Sequence, residues 1–343
     1  MRLKLTVAVL AAAFVASPLA ASAATTYTPL PAHVYAPYYE TYLGSATPSI
    51  SLTAHDSSTK YFTLAFIQSA GKGSCTPTWN GDKSQPIGTP YASDIASLQA
   101  AGGNVIPSFG GYSADQGGTE IADSCTDVSK IAQAYENVIT TYGVTRLDMD
   151  VEAKSLNNTA GIDRRNKAIA MTEQWAATNG IPLQIQYTLP VEPSGLESNG
   201  EAVLQNAVKD GAAIASVNIM VFDYYQRKAG TVPMGQAAID AATNTHTELT
   251  SIFTTKSSTE LWSMLGMTLL PGIDDFPKKT EITSLGDAHT MLSFAQSNNM
   301  NFLSIWAIQR DNGGCPGVTD SNTCSGITQS TWDFSNLLNA FTG

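Results

Sequence analysis

Charge is scarce in this sequence. Asp, Glu, Lys and Arg together make up 14% of it, and 29 acids against 18 bases leave a formal net charge of −11. So little positive charge disfavours polyanionic partners, so nucleic acid and anionic lipid are not expected ligands and a neutral polymer is an easier one. Histidine is scarcer still. His33, His55, His246 and His289 are scattered along the chain, and no G-x-S-x-G elbow accompanies them, which leaves a Ser-His-Asp hydrolase unsupported. Only Cys75, Cys125, Cys315 and Cys324 are present, none in a C-x-x-C pair with histidines to complete a zinc site. No G-x-G-x-x-G or G-x-x-x-x-G-K-[ST] follows the first strand signal, so nucleotide-binding sheets lose their usual mark.

The N-terminus is where apolar residues do run together. Arg2 and Lys4 form a basic n-region, Leu5 to Ala16 an apolar stretch too short to span a membrane, and Ala21-Ser22-Ala23 an A-x-A cleavage pattern. Residues 1–23 are therefore expected to be a secretory signal peptide, with 24–343 the mature chain, secreted and extracellular. No second apolar run follows, so no membrane partner is expected, and a monomer is. An exported chain holds cysteines as disulfides, here with three possible connectivities. Pairing Cys315 with Cys324 closes the short loop "CPGVTDSNTC" and leaves Cys75 with Cys125.

After the signal, strand and helix patterns alternate. The strand stretches are "HVYAPYYETY", "YFTLAFIQ", "NVIPSFGG", "RLDMDVEA", "LQIQYTLPV", "ASVNIMVFDYY", "SMLGMTLLPG" and "FLSIWAIQ". Amphipathic stretches lie between them, several ending in Gly or Asn as helix C-caps do. The first interval, "LGSATPSISLTAHDSSTK", is polar and shows no clear helix. Eight such strands predict an α/β fold of the (β/α)8 TIM-barrel type as one catalytic domain over 24–343, with a doubly wound open sheet as the alternative. Functional groups of a barrel gather at the C-terminal ends of its strands. There lie Tyr38 and Tyr39, Gly110 and Gly111, Glu152, Asp223 and Tyr224, and Trp306. Trp79 and Tyr112, in loops, are candidates for stacking on a ligand.

The stretch "RLDMDVEAKSL" places Asp148, Asp150 and Glu152 two residues apart, with Leu147, Met149 and Val151 between. Two is the period of a strand, so the acids share one face, about 6.6 to 6.8 Å from one to the next, while the apolar residues face the helices. Like charges in a partly desolvated space cannot all ionise, so at least one pKa should rise, and a carboxyl that keeps its proton near neutral pH is a general acid. Three roles fit this pattern: acid catalysis, hard-cation binding, or a structural polar network.

The run "LDMDVE" resembles the D-x-x-D-x-D-x-E motif of glycoside hydrolase family 18, the chitinases and endo-β-N-acetylglucosaminidases, which lies on the fourth strand of a (β/α)8 barrel. "SFGG" at Ser108 to Gly111 resembles the S-x-G-G ending strand three, and Trp306 the tryptophan under the reacting sugar. "DIASLQAAGGNVIPSFGG", "YTLPV", "VNIMVFDY" and the closing "RD…C…CSGI" extend the likeness to secreted microbial chitinases over nearly the whole mature chain. The resemblance implies hydrolysis of β-1,4 links in chitin or N-acetylglucosamine oligosaccharides, with retention, through the substrate's own acetamido group and without metal or organic cofactor. It implies Glu152 as general acid, Asp150 as an ionised partner of the acetamido group, and Asp148 tuning Asp150. Met220, Asp223, Tyr224, Tyr187, Gly110, Gly111 and Trp306 are the implied substrate-binding residues. Two positions depart from the pattern. Thr145 replaces the first acid, and Phe222 replaces the strand-six tyrosine, whose hydroxyl Tyr224 or Tyr187 would have to supply. A chitin-binding lectin keeps the same barrel but loses the terminal Glu, and Glu152 is present.

Overall fold

Each of the eight strand stretches forms a strand of one curled parallel sheet. The computed structural model describes residues 27–225, 233–275 and 280–343, so the expected signal peptide lies outside the described residues. The strands are β1, in two pieces, Val34–Tyr35 and Tyr38–Glu40, β2 Tyr61–Ser69, β3 Asn104–Gly110, β4 Arg146–Asp150, β5 Gln184–Glu192, β6 Ile214–Met220, β7 Leu265–Leu269 and β8 Phe302–Ile305. Neighbours pair in chain order, and β1 closes the ring, its first piece on β8 and its second on β2. Pro37 interrupts β1 because it has no N–H for a ladder, yet its carbonyl still accepts from Thr63 N at 2.9 Å. The fold is a (β/α)8 barrel.

A helix follows every strand: α1 Ile50–Ser57, α2 Ala92–Ala100, α3 Val128–Tyr142, α4 Thr159–Thr178, α5 Ser198–Asp210, α6 Met234–Ile252, α7 Leu285–Ser297 and α8 Asp333–Leu338. Helix α1 fills the interval that shows no helical pattern. It buries only Ile50, Thr53 and Ser57, too few apolar residues for a periodicity, and is held instead by its start. Ser49 caps Leu52 N, and the Asp94 carboxylate accepts from the N–H groups of Ile50 and Ser51. Gly143 and Gly211 end α3 and α5 in the left-handed conformation that glycine adopts at no steric cost. Among the described residues no helix is long and apolar enough to cross a membrane.

Apolar and polar burial are divided between two places. Leu147, Met149 and Val151 belong to the large apolar cluster between sheet and helices. Trp79 is there too, fully buried with its Nε1 donating to the Tyr142 hydroxyl at 2.9 Å, so it is a core residue and not a stacking platform. The barrel interior is polar: Tyr38, Ser108, Asp148, Thr188 and Asn218 are buried there in a connected set of hydrogen bonds, and Thr63 bonds the Ala36 carbonyl. Disulfides join Cys75 to Cys125 and Cys315 to Cys324, the expected pairs.

Behind β4 one ion pair is buried outright. Arg165 on α4 meets Glu120 at 2.9 Å with both side chains out of solvent. Removing one partner strands the other, so Arg165→Leu is expected to destabilise the protein by about 3–5 kcal/mol in urea titration.

Candidate active site

Strand β4 carries its acids from the barrel interior to its rim. Asp148 is fully buried and saturated: Tyr38 Oη at 2.9 Å and Ser108 Oγ at 2.6 Å donate to Oδ2, Gln186 Nε2 at 3.0 Å and Thr188 Oγ1 at 2.7 Å to Oδ1. Burial raises its pKa and those four bonds oppose the rise. No lone pair is left facing a metal, which speaks against the cation reading. Asp150 is equally buried, but its Oδ1 has no protein partner. Desolvation, then the charges of Glu152, Asp148 and Asp115, push its pKa well up. The sequence reading made Asp150 an ionised neighbour of the acid. Its buried, acid-flanked setting disfavours that ionised form in the unliganded protein.

Glu152 lies just beyond the strand. The ladder continues one residue further through Val151 N, which donates to Thr188 O at 3.0 Å, and the Glu152 side chain then reaches the cleft. Desolvation pushes its carboxyl up to about 7, against the opposing effect of a hydrogen bond from the backbone N–H of Tyr112. A group that titrates there can both give and take a proton near neutrality.

The cleft spans the C-terminal ends of the strands, with a volume of about 690 Å³, and both Asp150 and Glu152 line it. Trp306, half-buried at the end of β8, forms part of its floor across the barrel from β4. Its ring stacks on Phe66 at 5.5 Å and meets Tyr38 edge-on at 5.3 Å, and Met220, Phe222 and Leu270 pack against it. One face is thus fixed by neighbours and the indole remains on the cleft surface. Exposed tyrosines stand at the rim: Tyr112 after β3, Tyr225 after β6 and Tyr42 after β1. Asp223 also lines the cleft. Burial, then a hydrogen bond to and the charge of Asp274, push its carboxyl up to about 9.

Four of the expected binding residues are elsewhere. Tyr187 points out of the barrel, because on β5 it is Gln186 and Thr188 that face Asp148, and its hydroxyl donates to Asn166 Oδ1 at 2.5 Å. Tyr224 is buried in the apolar cluster, and it is Tyr225 that reaches the cleft. Neither Tyr187 nor Tyr224 supplies a hydroxyl at Phe222. Gly110 and Gly111 do not line the cleft but allow β3 to end against β4. A Cβ at Gly110 would lie 2.1 Å from Asp150 O, and one at Gly111 2.5 Å from the Phe66 ring. Thr145 sits at the opposite end of β4, bonded to Thr28 O, remote from the cleft.

Sequence reading missed Asp115, Asp275, Asp320 and Asn322. Asp115 is buried against Glu152, and the other three line the cleft from the loops after β7 and β8. Loops have no periodicity to announce them. Only the shortness of "CPGVTDSNTC", which brings Asp320 and Asn322 to the cleft, was visible beforehand. Tyr187→Phe is expected to cost about 1–3 kcal/mol in urea titration, by leaving a buried Asn166 oxygen unpaired, while the cleft residues stay in place.

Known proteins resemble this chain in sequence and in fold. It is 33% identical over 322 residues to the "Probable bifunctional chitinase/lysozyme" of Escherichia coli (strain K12), covering 91% of this chain and 35% of that protein. "Endochitinase 11" of Metarhizium anisopliae is 32% identical over 82% of this chain and 53% of its own length. The chain thus spans about half or less of the curated relatives it matches. Active domain 2 of the Pyrococcus furiosus chitinase superposes with a TM-score of 0.78 at 28% identity, covering 91% of this chain and 96% of the domain. The same domain complexed with chito-oligosaccharides gives 0.76, at 28% identity and 91% and 95% coverage. No family model matches the sequence. A polar-cored (β/α)8 barrel and an acid column of β4 that ends in its cleft accompany this similarity to chitinases.

Proposed function

We propose that the chain hydrolyses β-1,4 links between N-acetylglucosamine units of chitin, with retention and with Glu152 as general acid. The observation that carries this is Glu152 itself, a carboxyl held near pKa 7 on the cleft surface, beside a buried Asp150 whose Oδ1 no protein group satisfies.

The sugar to be cleaved lies on Trp306, whose apolar face suits the axial C–H face of a pyranose. Glu152 gives its proton to the glycosidic oxygen as the C1–O bond breaks. The acetamido carbonyl oxygen of the same sugar closes on C1 from the other side, at the high effective molarity of an attached group. The acetamido N–H is then matched by Asp150, and the positive charge that develops on the ring favours the ionised form of that carboxyl. Water next attacks C1, breaks its bond to the acetamido oxygen and gives a proton to the Glu152 carboxylate, which restores the acid. Two inversions at C1 make retention, the substrate-assisted route that needs no second nucleophilic carboxylate.

Glu152→Gln keeps the shape and removes the proton. Turnover of chito-oligosaccharides is expected to fall by about 10²- to 10⁴-fold, with the Kd by calorimetry held within about threefold. Binding without cleavage by the unaltered protein would favour a lectin, and release of whole glycans from an N-glycoprotein would favour an endo-β-N-acetylglucosaminidase. The reaction begins from protonated Glu152, so kcat/KM should be flat below about pH 7 and fall tenfold per pH unit above it. A profile rising through that range would overturn the assignment.

Export belongs to the same reading, supported by the basic and apolar N-terminal pattern and by two disulfides of the sort that oxidising compartments allow. Mass spectrometry of protein recovered from the medium of an exporting host should find Ala24 as the first residue.

A further inference from the structure

Glu152 is held from the side where β4 has lost its neighbour. In a parallel sheet successive N–H groups serve alternate flanking strands. Val151 N goes to β5, and the next, Glu152 N, faces β3, which has already turned away at Gly110 and Gly111, both with positive φ. The last contact between those strands is Gly111 N donating to Asp150 O at 3.1 Å. A short helix, Tyr112–Gly117, takes the place of the missing strand.

We propose that this helix is a two-armed clamp on the general acid, with Asp115 as its positioning residue. One arm is the Asp115 Oδ2 carboxyl oxygen, which accepts from Glu152 N. The other is the N–H of Tyr112, at the first position of the helix, which faces the Glu152 carboxyl and lowers its pKa. Asp115 N in turn donates to Gly111 O at 3.1 Å, which ties the two arms together through the helix turn. One short turn thus holds the backbone of Glu152 and faces its carboxyl.

Asp115 is 1% exposed, and its Oδ1 has no protein partner and lies where a Cβ on Gly110 would come within 3.5 Å of it. Desolvation foremost, then the Glu120 charge, push its pKa well up, which disfavours a full negative charge beside Glu152. That is what a general acid needs from a close neighbour: a hold on its position without a repulsion that would bar its ionised state after proton transfer.

The inference rests on Glu152 being the general acid, and the variants below separate the two. Asp115→Ala is expected to lower kcat by about 10- to 100-fold, with KM on chito-oligosaccharides within about twofold. Asp115→Asn should recover most of that loss, since its carbonyl accepts the same N–H. Proline is accepted at the first helical position but has no N–H. Tyr112→Pro should therefore fall below Tyr112→Ala in kcat by a further factor of about ten or more, both lacking the ring. Wild-type kcat in Asp115→Ala, an Asp115→Asn as slow as Asp115→Ala, or equal kcat in the two Tyr112 variants would overturn the clamp. Should Asp115→Ala fail to fold by circular dichroism, the Tyr112 pair decides alone. Full turnover by Glu152→Gln would instead remove the general acid, whatever the Asp115 variants do.

Discussion

Everything in the barrel interior answers to one buried carboxyl. Asp148 stands on the axis side of β4, and an uncompensated charge there would be prohibitive, so its oxygens must be met by donors from the strands around it. They come from β1, β3 and β5 at once, which requires those strands to keep their register to within a residue. Thr188 then passes the constraint on to Asn218 of β6, and Asn218 to Thr268 of β7. A chain of polar contacts thereby spans most of the ring, and the apolar burial that stabilises the fold is pushed outward, between sheet and helices. The lumen is built for a site and the shell for stability.

Along β4 the three carboxyls grade from satisfied to available. Asp148 has four donors, Asp150 an unpartnered oxygen, and Glu152 one backbone N–H and a face on the cleft. Solvent access rises along the same direction. The gradient is a consequence of strand geometry: each step of two residues moves a side chain on the same face nearer the open end, so one sequence pattern produces three electrostatic environments. Aromatic residues on the opposite wall, Trp306 backed by Phe66 and Tyr38, make the complementary apolar surface.

How much of this could be seen in the sequence depended on whether a residue lay inside a periodic element. The eight strands, seven of the helices, the acid column and the disulfide pairs all announce themselves through alternation, amphipathicity or loop length. Helix α1 does not, since its inward face is Ile50, Thr53 and Ser57 and its stability comes from Ser49 and Asp94. Tyr187 was chosen by residue type although parity with Thr188, its neighbour on β5, already pointed it outward. Tyr224 and Tyr225 follow Asp223, whose left-handed φ of 54° breaks the alternation, so no counting along β6 could tell which of them faces the cleft. Asp115 sits on a six-residue helix too short to show a period, and Asp275 and Asp320 sit in loops, where position is set by tertiary contacts such as the Arg310 bonds to Asp275 and to the carbonyl of Ser321.

The two-piece first strand has a bearing on how such a molecule is made. Tyr35 N is bonded to Thr342 Oγ1, a partner 307 residues away, and Val34 and Ala36 hang on the carbonyls of Asn301 and Leu303. Until β8 has been made, β1 has a mate on one flank alone, and the curled sheet stands unsealed along a seam of bare amides. Sealing thus waits on the most non-local pairing of the barrel, the kind that topology makes slow.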